Sequence, residues 1–317
     1  MISVFQLLAV SLAVWRAMPL GSTAPRFDLH ALAGVWSFAF GMMAITITST
    51  VLTQMDRFVV ARLVSLEQFG YYVVAGVIGN GLSTLVGAMF ATIFPLFSRL
   101  VGSGEEAVLT AQYRRIWGSM TALVIPIASV VAAFSGPLLL LWTRNPTTAS
   151  VSAPLVSLLV TGSALNGFMV VAYALQIAGG NTALALRLNL LLCAVGIPLL
   201  LLLALRYGTV GAAAVWPLIN LAYLAIGAPA TGHWLKAARL GSWFMKEVVG
   251  PTAACVLAVM AFRAVMPAAG GPVQIAAQLM AAWTVAVVAV LAMNHDLRSV
   301  SSAMVRRAFI GVPSEHE

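Results

Sequence analysis

The sequence predicts an all-α polytopic membrane protein with about nine transmembrane helices, because apolar runs of roughly 20 residues recur along it. Hydrophobic residues make up 61% of the chain and charged residues 8%, and the mean hydropathy is +0.99. A soluble domain contains only about 45 to 50% apolar residues, glycine included. Helices are expected rather than strands, since an open strand edge leaves backbone polar groups unsatisfied in lipid.

Glycine, proline, asparagine or charged residues separate the apolar runs. The runs lie at about residues 2–20, 32–55, 71–97, 116–141, 151–177, 183–205, 209–230, 248–266 and 273–293. The weakest separation is Gly208, between the sixth and seventh runs. The first run has no basic residue before it, unlike a secretory signal, so we expect a retained helix. A chain that begins abruptly inside a helix also suggests an incomplete gene product or an unusual start site.

The distribution of lysine and arginine predicts the orientation. Twelve of these residues fall on one side of the bilayer, namely Arg16, Arg26, Arg99, Arg114, Arg115, Arg187, Lys236, Arg239, Lys246, Arg298, Arg306 and Arg307. Five fall on the other side, namely Arg57, Arg62, Arg144, Arg206 and Arg263. Because basic loops stay in the cytoplasm, we expect the C-terminus inside and the N-terminus outside. Basic loops beside anionic lipid also explain the net charge of +8, so no nucleic-acid partner is expected.

Asp56 and Arg57 stand side by side in an apolar stretch, as an apparent ion pair. No helix breaker follows until about Val64, so the helix from Leu32 is expected to run past the pair for about 50 Å. Two interpretations are open. The pair could mark the outer membrane boundary, with Arg57 reaching out to water. Alternatively, it faces a hydrated cavity, in which the arginine could receive a phosphate.

The remaining polar residues of the apolar runs are few and uncharged, and most are expected to bond neighbouring helices. They are Asn80, Ser83, Thr84, Asn166, Gln176, Asn189 and Asn220. Cys193 and Cys255 have no metal or redox spacing and are expected to be packing residues, so no cofactor is predicted. The predicted external loops are short, which leaves no room for a catalytic domain outside the membrane. We therefore do not expect an enzyme.

Several motifs follow one another in the order found in one transporter family. They begin with a helix that ends in basic residues and proline, at residues 16–26, and continue with "TQMDRFVVARLVSLEQFGYYVVA", "ATIFPLFSRLVGSGEEAVLTAQYRRI", "FSGPLLLLW", "ALQIAGGNTALALRLNLL" and "LRYGTVGAAAVWPLINL". Over residues 16–235 the chain resembles the Wzx-like polysaccharide flippases of the multidrug, oligosaccharidyl-lipid and polysaccharide exporter superfamily. The most specific elements are the Asp-Arg pair followed by "FGYY" and the turn "YGTVGAAAV".

The resemblance implies an architecture of three parts. Residues 1–31 would be a remnant of the N-lobe, consisting of its last helix and a linker. Residues 32–235 would be a six-helix C-lobe, in which Asp56 to Gly70 joins the first two helices. Residues 236–317 would add two transmembrane helices and a cytoplasmic tail. The other N-lobe helices of the family are missing from this chain, which would leave one wall of a cavity that normally lies between two lobes.

The resemblance also implies a function. Such proteins move an undecaprenyl-pyrophosphate-linked oligosaccharide from the cytoplasmic to the periplasmic leaflet of the bacterial inner membrane by alternating access. The expected partners are this lipid-linked glycan, membrane lipids and other membrane proteins of glycan assembly. Arginines suit the phosphate charge, and the candidates are Arg57, Arg62, Arg187 and Arg16, with Asp56 beside the first. Candidate sugar contacts are Gln54, Asn80 and Asn166.

Three alternatives remain open on the sequence. A cation-coupled multidrug antiporter of the same superfamily would need a buried carboxylate, and Asp56 is the one available. A membrane enzyme of glycan assembly would need catalytic residues in large external loops. The four histidines, His30, His233, His295 and His316, are all predicted on the cytoplasmic side. The third alternative is an inactive truncated fragment.

Overall fold

The computed structural model describes residues 2–17, 29–234, 243–267 and 271–294. These residues are 95% helical and contain no strand. The helices are α1 (Ile2–Ala17), α2 (Leu29–Leu63), α3 (Leu66–Ser103), α4 (Glu106–Ala133), α5 (Ser135–Thr143), α6 (Pro146–Ala178), α7 (Thr182–Trp234), α8 (Gly250–Val265) and α9 (Pro272–Met293). A π-helical turn, Met245–Val249, precedes α8. The all-α fold class is confirmed.

The chain forms two compact units, residues 1–40 and residues 41–317. In the first unit α1 is a short apolar helix, and its side chains from Val4 to Arg16 are exposed. The second unit contains the packed core and the two cavities. The predicted division at residues 31 and 235 stays a prediction, and residues 235–242 and 295–317 lie outside the described parts of the chain.

Within the described residues, seven helices are long and apolar enough to cross a membrane. One of them, α7, is 53 residues long and contains a non-helical residue, Gly208, at φ 59° and ψ −138°. A Cβ atom on Gly196 would lie 2.6 Å from Ile219, and one on Gly227 would lie 3.4 Å from Leu188. The two halves of α7 therefore pack side by side as a hairpin. The predicted break at Gly208 is confirmed, whereas the total of nine spans stays a prediction.

Helix α2 runs through Asp56 and Arg57 without a break, as expected, and ends at Leu63. Only Val64 and Ser65 separate it from α3, and the Ser65 hydroxyl accepts a hydrogen bond from the Gln68 amide at 3.3 Å. This side-chain cap starts α3 immediately after α2. The stretch from Asp56 to Gly70 therefore does contain the connection between α2 and α3, but the connection itself is two residues long and lies beyond the Asp-Arg pair.

The predicted span at residues 116–141 is two helices, α4 and α5, that meet at Phe134. The break leaves carbonyl groups without helical partners. The Ser157 hydroxyl of α6 donates to the Ala132 carbonyl at 2.8 Å, and the Arg263 guanidinium of α8 donates to the Ala133 carbonyl. These contacts satisfy the freed carbonyls inside the protein and hold the break in place.

Helix α6 lies at the centre of the second unit, because it packs against α3, α4, α5 and α7. Its contact with α7 is close at Gly162, where a Cβ atom would lie 2.3 Å from Trp216 and 2.8 Å from the Pro217 nitrogen. Helices α8 and α9 pack on each other and on α4. Small residues at such contacts let helices approach closely in a membrane. The sites described next lie on the other side of α6, where it faces α2, α3 and α7.

Candidate functional site

The part of helix α2 that belongs to the second unit, residues 41–63, packs against other helices of that unit near each of its ends. Val59 and Val60 pack with Tyr72 in one apolar cluster, and Ile45 packs with Ile177 and Ala185 in another. Between these two contacts, residues 49 and 52–57 line cavities that separate α2 from α3, α6 and α7. The middle of the helix that carries Asp56 and Arg57 is thus held beside internal space rather than packed into the core.

The first cavity has a volume of about 300 Å³ and is open on one side. Its polar wall is formed by α2 and α3, which contribute Gln54, Asp56, Arg57, Asn80 and Ser83. Its α7 wall is mostly apolar, with residues such as Leu200 and Val215. It lies toward the end of the bundle that contains the Val64–Ser65 connection and the Gly208 turn.

Arg57 has no hydrogen bond or salt bridge to any residue that the structure describes, although it is half-buried. Its guanidinium lies against α3 at Gly76, where a Cβ atom would be 3.8 Å from Nη2. A guanidinium offers five donors in a planar fork that matches phosphate and carboxylate oxygens. The side chain therefore presents an unpaired positive charge with unused donors to the cavity.

Asp56 and Arg57 do not form the ion pair that their adjacency suggested, within the described part of the chain. Asp56 Oδ2 accepts a hydrogen bond from the Tyr72 hydroxyl at 2.7 Å, and Oδ1 is buried without a partner. Adjacent helix residues point about 100° apart, so neighbouring charges on a helix face different surroundings. This geometry leaves Arg57 available to a ligand.

Gln54 and Asn80 also line the first cavity, and their side chains make no hydrogen bond within the described residues. Asn166 lines the same cavity and donates through Nδ2 to Asn220 Oδ1 at 2.8 Å. Five of the eight predicted site residues therefore surround one space, on three helices. The five are Gln54, Asp56, Arg57, Asn80 and Asn166.

The other three predicted site residues lie elsewhere. Arg62 is exposed near the end of α2, and Arg187 is exposed on α7, and neither lines a cavity described here. Arg16 is exposed in the N-terminal unit. That these three arginines contact the substrate stays a prediction. Of the four candidate arginines, Arg57 lines a cavity together with polar side chains.

A second cavity of about 210 Å³ adjoins the first, and the two share Leu52, Thr53, Asn166, Trp216 and Ile219. Its further lining includes Asn189, whose Nδ2 donates to Ser49 Oγ at 2.9 Å, and two tyrosines, Tyr173 and Tyr223. The sequence drew attention to the asparagines but not to the aromatic residues. Trp216, Asn220 and Tyr223 are four and three residues apart, so this spacing places them on one face of a helix and could have identified the wall.

Three asparagines and Gln176 bond neighbouring helices, as expected; the asparagines are Asn166, Asn189 and Asn220. Besides the Asn166–Asn220 and Asn189–Ser49 contacts, Gln176 Nε2 donates to Thr231 Oγ1 at 2.6 Å. Asn80 and Ser83 differ, since they line the first cavity and their side chains bond no other helix in the part of the chain that the structure describes. Cys255 is buried in the core and Cys193 is half-buried against α2. Among the described residues no group of three or more potential metal ligands occurs.

Comparison with known proteins places the N-terminal part of the chain in a functional context. Residues 1–144 match a family model described as polysaccharide biosynthesis protein. No curated protein matches the chain significantly. The matched region ends after α5 and so includes Asp56, Arg57 and Asn80, while the α6 and α7 walls of the cavities lie beyond it. The first half of this membrane protein is therefore similar to proteins of polysaccharide biosynthesis.

Proposed function

We propose that this protein is a flippase for a lipid-linked oligosaccharide, which it moves from the cytoplasmic to the periplasmic leaflet of a bacterial inner membrane. The observation that carries the proposal is the half-buried Arg57, unpaired among the described residues, on the polar wall of a cavity inside a bundle of helices long and apolar enough to span a membrane. The similarity of residues 1–144 to polysaccharide biosynthesis proteins supports a substrate that belongs to polysaccharide biosynthesis.

The physical problem for such a transporter is the headgroup. A pyrophosphate and a sugar are costly to place in hydrocarbon, so the path must supply charge and hydrogen bonds while the polyprenyl tail stays in lipid. Arg57 supplies the charge, and Gln54 and Asn80 supply donors and acceptors that the described residues leave unused. The cavity is partly open rather than enclosed, as a site that a headgroup enters must be.

The test uses the bacterium that carries the gene. We expect deletion of the gene to abolish surface polysaccharide and to accumulate the lipid-linked oligosaccharide on the cytoplasmic leaflet. Arg57→Ala is expected to reduce export at least about tenfold, and Arg57→Lys to retain part of it, because lysine keeps the charge but loses the bidentate fork. Export is measured as surface polysaccharide per cell at equal protein level in the membrane.

Arg206→Ala is the matched control. Arg206 is exposed at the Gly208 end, stacks on the Tyr207 ring at 5.8 Å and lines neither cavity, so its removal is expected to leave export unchanged. Normal export by Arg57→Ala would refute the phosphate role of this residue. Normal export by the deletion strain would refute the function itself.

A second candidate, a cation-coupled multidrug antiporter, is favoured by one observation. Asp56 lines the first cavity and its buried Oδ1 has no partner among the described residues, which is the kind of group that a proton or sodium ion neutralises. The same deletion strain distinguishes the two functions. A strain that keeps its surface polysaccharide but becomes sensitive to cationic drugs would support the antiporter.

A further inference from the structure

The second cavity differs from the first in its charge. Among the described residues that line it, none is an acid, a lysine, an arginine or a histidine. It therefore offers no charge to a phosphate, and it suits an uncharged polar group. Its volume of about 210 Å³ corresponds to roughly seven water molecules at about 30 Å³ each. This space is comparable with a single sugar ring rather than with an oligosaccharide.

Two phenol hydroxyls in this cavity are unused. Tyr173 and Tyr223 are half-buried, and neither hydroxyl has a hydrogen bond within the described residues. The Tyr173 ring is held by stacking on Phe90, at 5.6 Å between ring centres. A phenol hydroxyl can both donate and accept a hydrogen bond, so a polar ligand that enters this cavity can bond to either tyrosine.

The amides of the same cavity are already engaged and fix its shape. Asn220 accepts from Asn166 and donates to the Trp216 carbonyl at 2.8 Å, while Trp216 Nε1 donates to Ser163 at 3.2 Å. This network holds the Trp216 indole between the two cavities, whose linings both include it. Fixed aromatic surfaces beside free hydroxyl donors are well suited to a ring that is apolar on its faces and polar at its edges.

The two cavities follow one another along the same helices. On α2, the first cavity is lined by residues between 52 and 57, and the second by residues 49, 52 and 53. On α6, the first cavity is lined by residues between 159 and 166, and the second by residues between 166 and 173. A single ligand can therefore place a charged group beside Arg57 and a neutral group beside Tyr173. A glycosyl pyrophosphate has this arrangement, with a sugar bonded directly to the phosphate.

We propose that the second cavity binds the sugar ring attached to the pyrophosphate, and that the hydroxyls of Tyr173 and Tyr223 select that sugar. This inference rests on the proposed flippase function, because it assigns the second half of the same headgroup. The first cavity would then bind all lipid pyrophosphates alike, and the second would distinguish among the sugars that they carry.

The experiment measures binding to the full chain in lipid nanodiscs. The probes are farnesyl pyrophosphate and its glucose, galactose and N-acetylglucosamine derivatives. We expect the wild type to bind at least one glycosylated probe more tightly than bare farnesyl pyrophosphate. Tyr173→Phe and Tyr223→Phe should each lower the affinity for that probe by about fivefold, which corresponds to the loss of one hydrogen bond. Neither substitution should change the affinity for bare farnesyl pyrophosphate.

The controls separate this inference from the proposed function. Tyr207→Phe removes a phenol hydroxyl from an exposed tyrosine outside both cavities and should change neither affinity. Arg57→Ala should lower the affinity for the bare probe and for the glycosylated probes by a similar factor. If the wild type binds all four probes equally, or if the two tyrosine variants weaken bare and glycosylated lipid alike, the sugar assignment is wrong while the pyrophosphate site stands. If none of the probes binds, both proposals are wrong.

Discussion

Arg57 differs from other arginines of the second unit in what surrounds it. Arg114 binds Glu247 at 3.3 Å and stacks on Trp243, and Arg263 binds the Ala133 carbonyl. Each of those charges serves a contact between helices. Arg57 is half-buried beside a cavity without such a contact among the described residues, and structural packing does not account for it. An ionisable side chain at membrane depth is a functional candidate, and the phosphate role of Arg57 stays a proposal.

Asp56 depends on Tyr72 for its one hydrogen bond, and Tyr72 is 1% exposed. Tyr72→Phe would leave both carboxylate oxygens without a protein partner, so we expect it to lower the free energy of unfolding by about 1 to 3 kcal/mol. Asp56→Asn keeps an acceptor for Tyr72 and removes a charge that is costly to bury, so it should be neutral or stabilising. Thermal unfolding of the purified protein measures both effects.

Tyr71→Phe is the control for this pair. Tyr71 also donates to a carboxylate, Glu67 Oε1 at 2.7 Å, but that contact is exposed and water can replace it. We expect almost no change in unfolding free energy. Equal losses of unfolding free energy for Tyr71→Phe and Tyr72→Phe would contradict the view that burial makes the Tyr72–Asp56 hydrogen bond more stabilising than the exposed Tyr71–Glu67 one.

The residue scale was only partly predictable. Asp56, Arg57, Gln54 and Asn80 stood out because polar groups are rare in apolar runs, and the structure brings them to one cavity. The partner of Asp56 carried no such signal, since Tyr72 lies 16 residues away on the next helix. Aromatic residues are ordinary in membrane helices, which is why Tyr173 and Tyr223 were missed despite their position.

At the scale of helices, hydropathy predicted that the helices exist more accurately than it predicted where each helix begins and ends. The apolar runs locate the membrane-spanning helices, but α3 continues for 38 residues, to Ser103, although the predicted run ended at 97. Hydropathy marks where a run stops being apolar, whereas the helix continues through the polar residues that follow, such as Ser98 and Arg99. The break between α4 and α5 was missed for the opposite reason, because "AAFSGPLLLLW" stays apolar across it.

The contact between α6 and α7 sets the spacing of the cavity walls, and Gly162 is where it is tightest. Gly162→Ala would put a methyl group 2.3 Å from Trp216 and 2.8 Å from the Pro217 backbone nitrogen. The backbone cannot move aside as a flexible side chain would, so we expect a loss of about 1 to 3 kcal/mol in unfolding free energy. Denaturant unfolding in mild detergent measures it.

A second glycine on the neighbouring helix provides the comparison. Gly87 of α3 has no atom within 4 Å of an added Cβ. Gly87→Ala is therefore expected to be neutral or to stabilise by up to about 1 kcal/mol, because alanine has the higher helix propensity. The packing account fails if both substitutions have the same effect.

At the scale of the whole molecule, the second unit combines a packed side and a hollow side around α6. The packed side contains α4, α8 and α9, with Trp117, Tyr113 and Trp243 in edge-to-face contact. The hollow side lies between α2, α3, α6 and α7. Cavities with polar side chains on one wall, inside an otherwise apolar bundle, are expected of a transport path and have no packing benefit. Orientation in the membrane follows from the basic loops and stays a prediction.

The central claim is that the Arg57 cavity is hydrated and receives a lipid pyrophosphate. It is tested in a Cys193→Ala/Cys255→Ala background by placing one cysteine on the cavity wall, Gln54→Cys, or on the outer surface, Leu202→Cys. We predict that a membrane-impermeant thiol reagent modifies the first and not the second, and that farnesyl pyrophosphate slows the reaction. An unreactive Gln54→Cys, or a rate that the lipid does not change, would contradict the account.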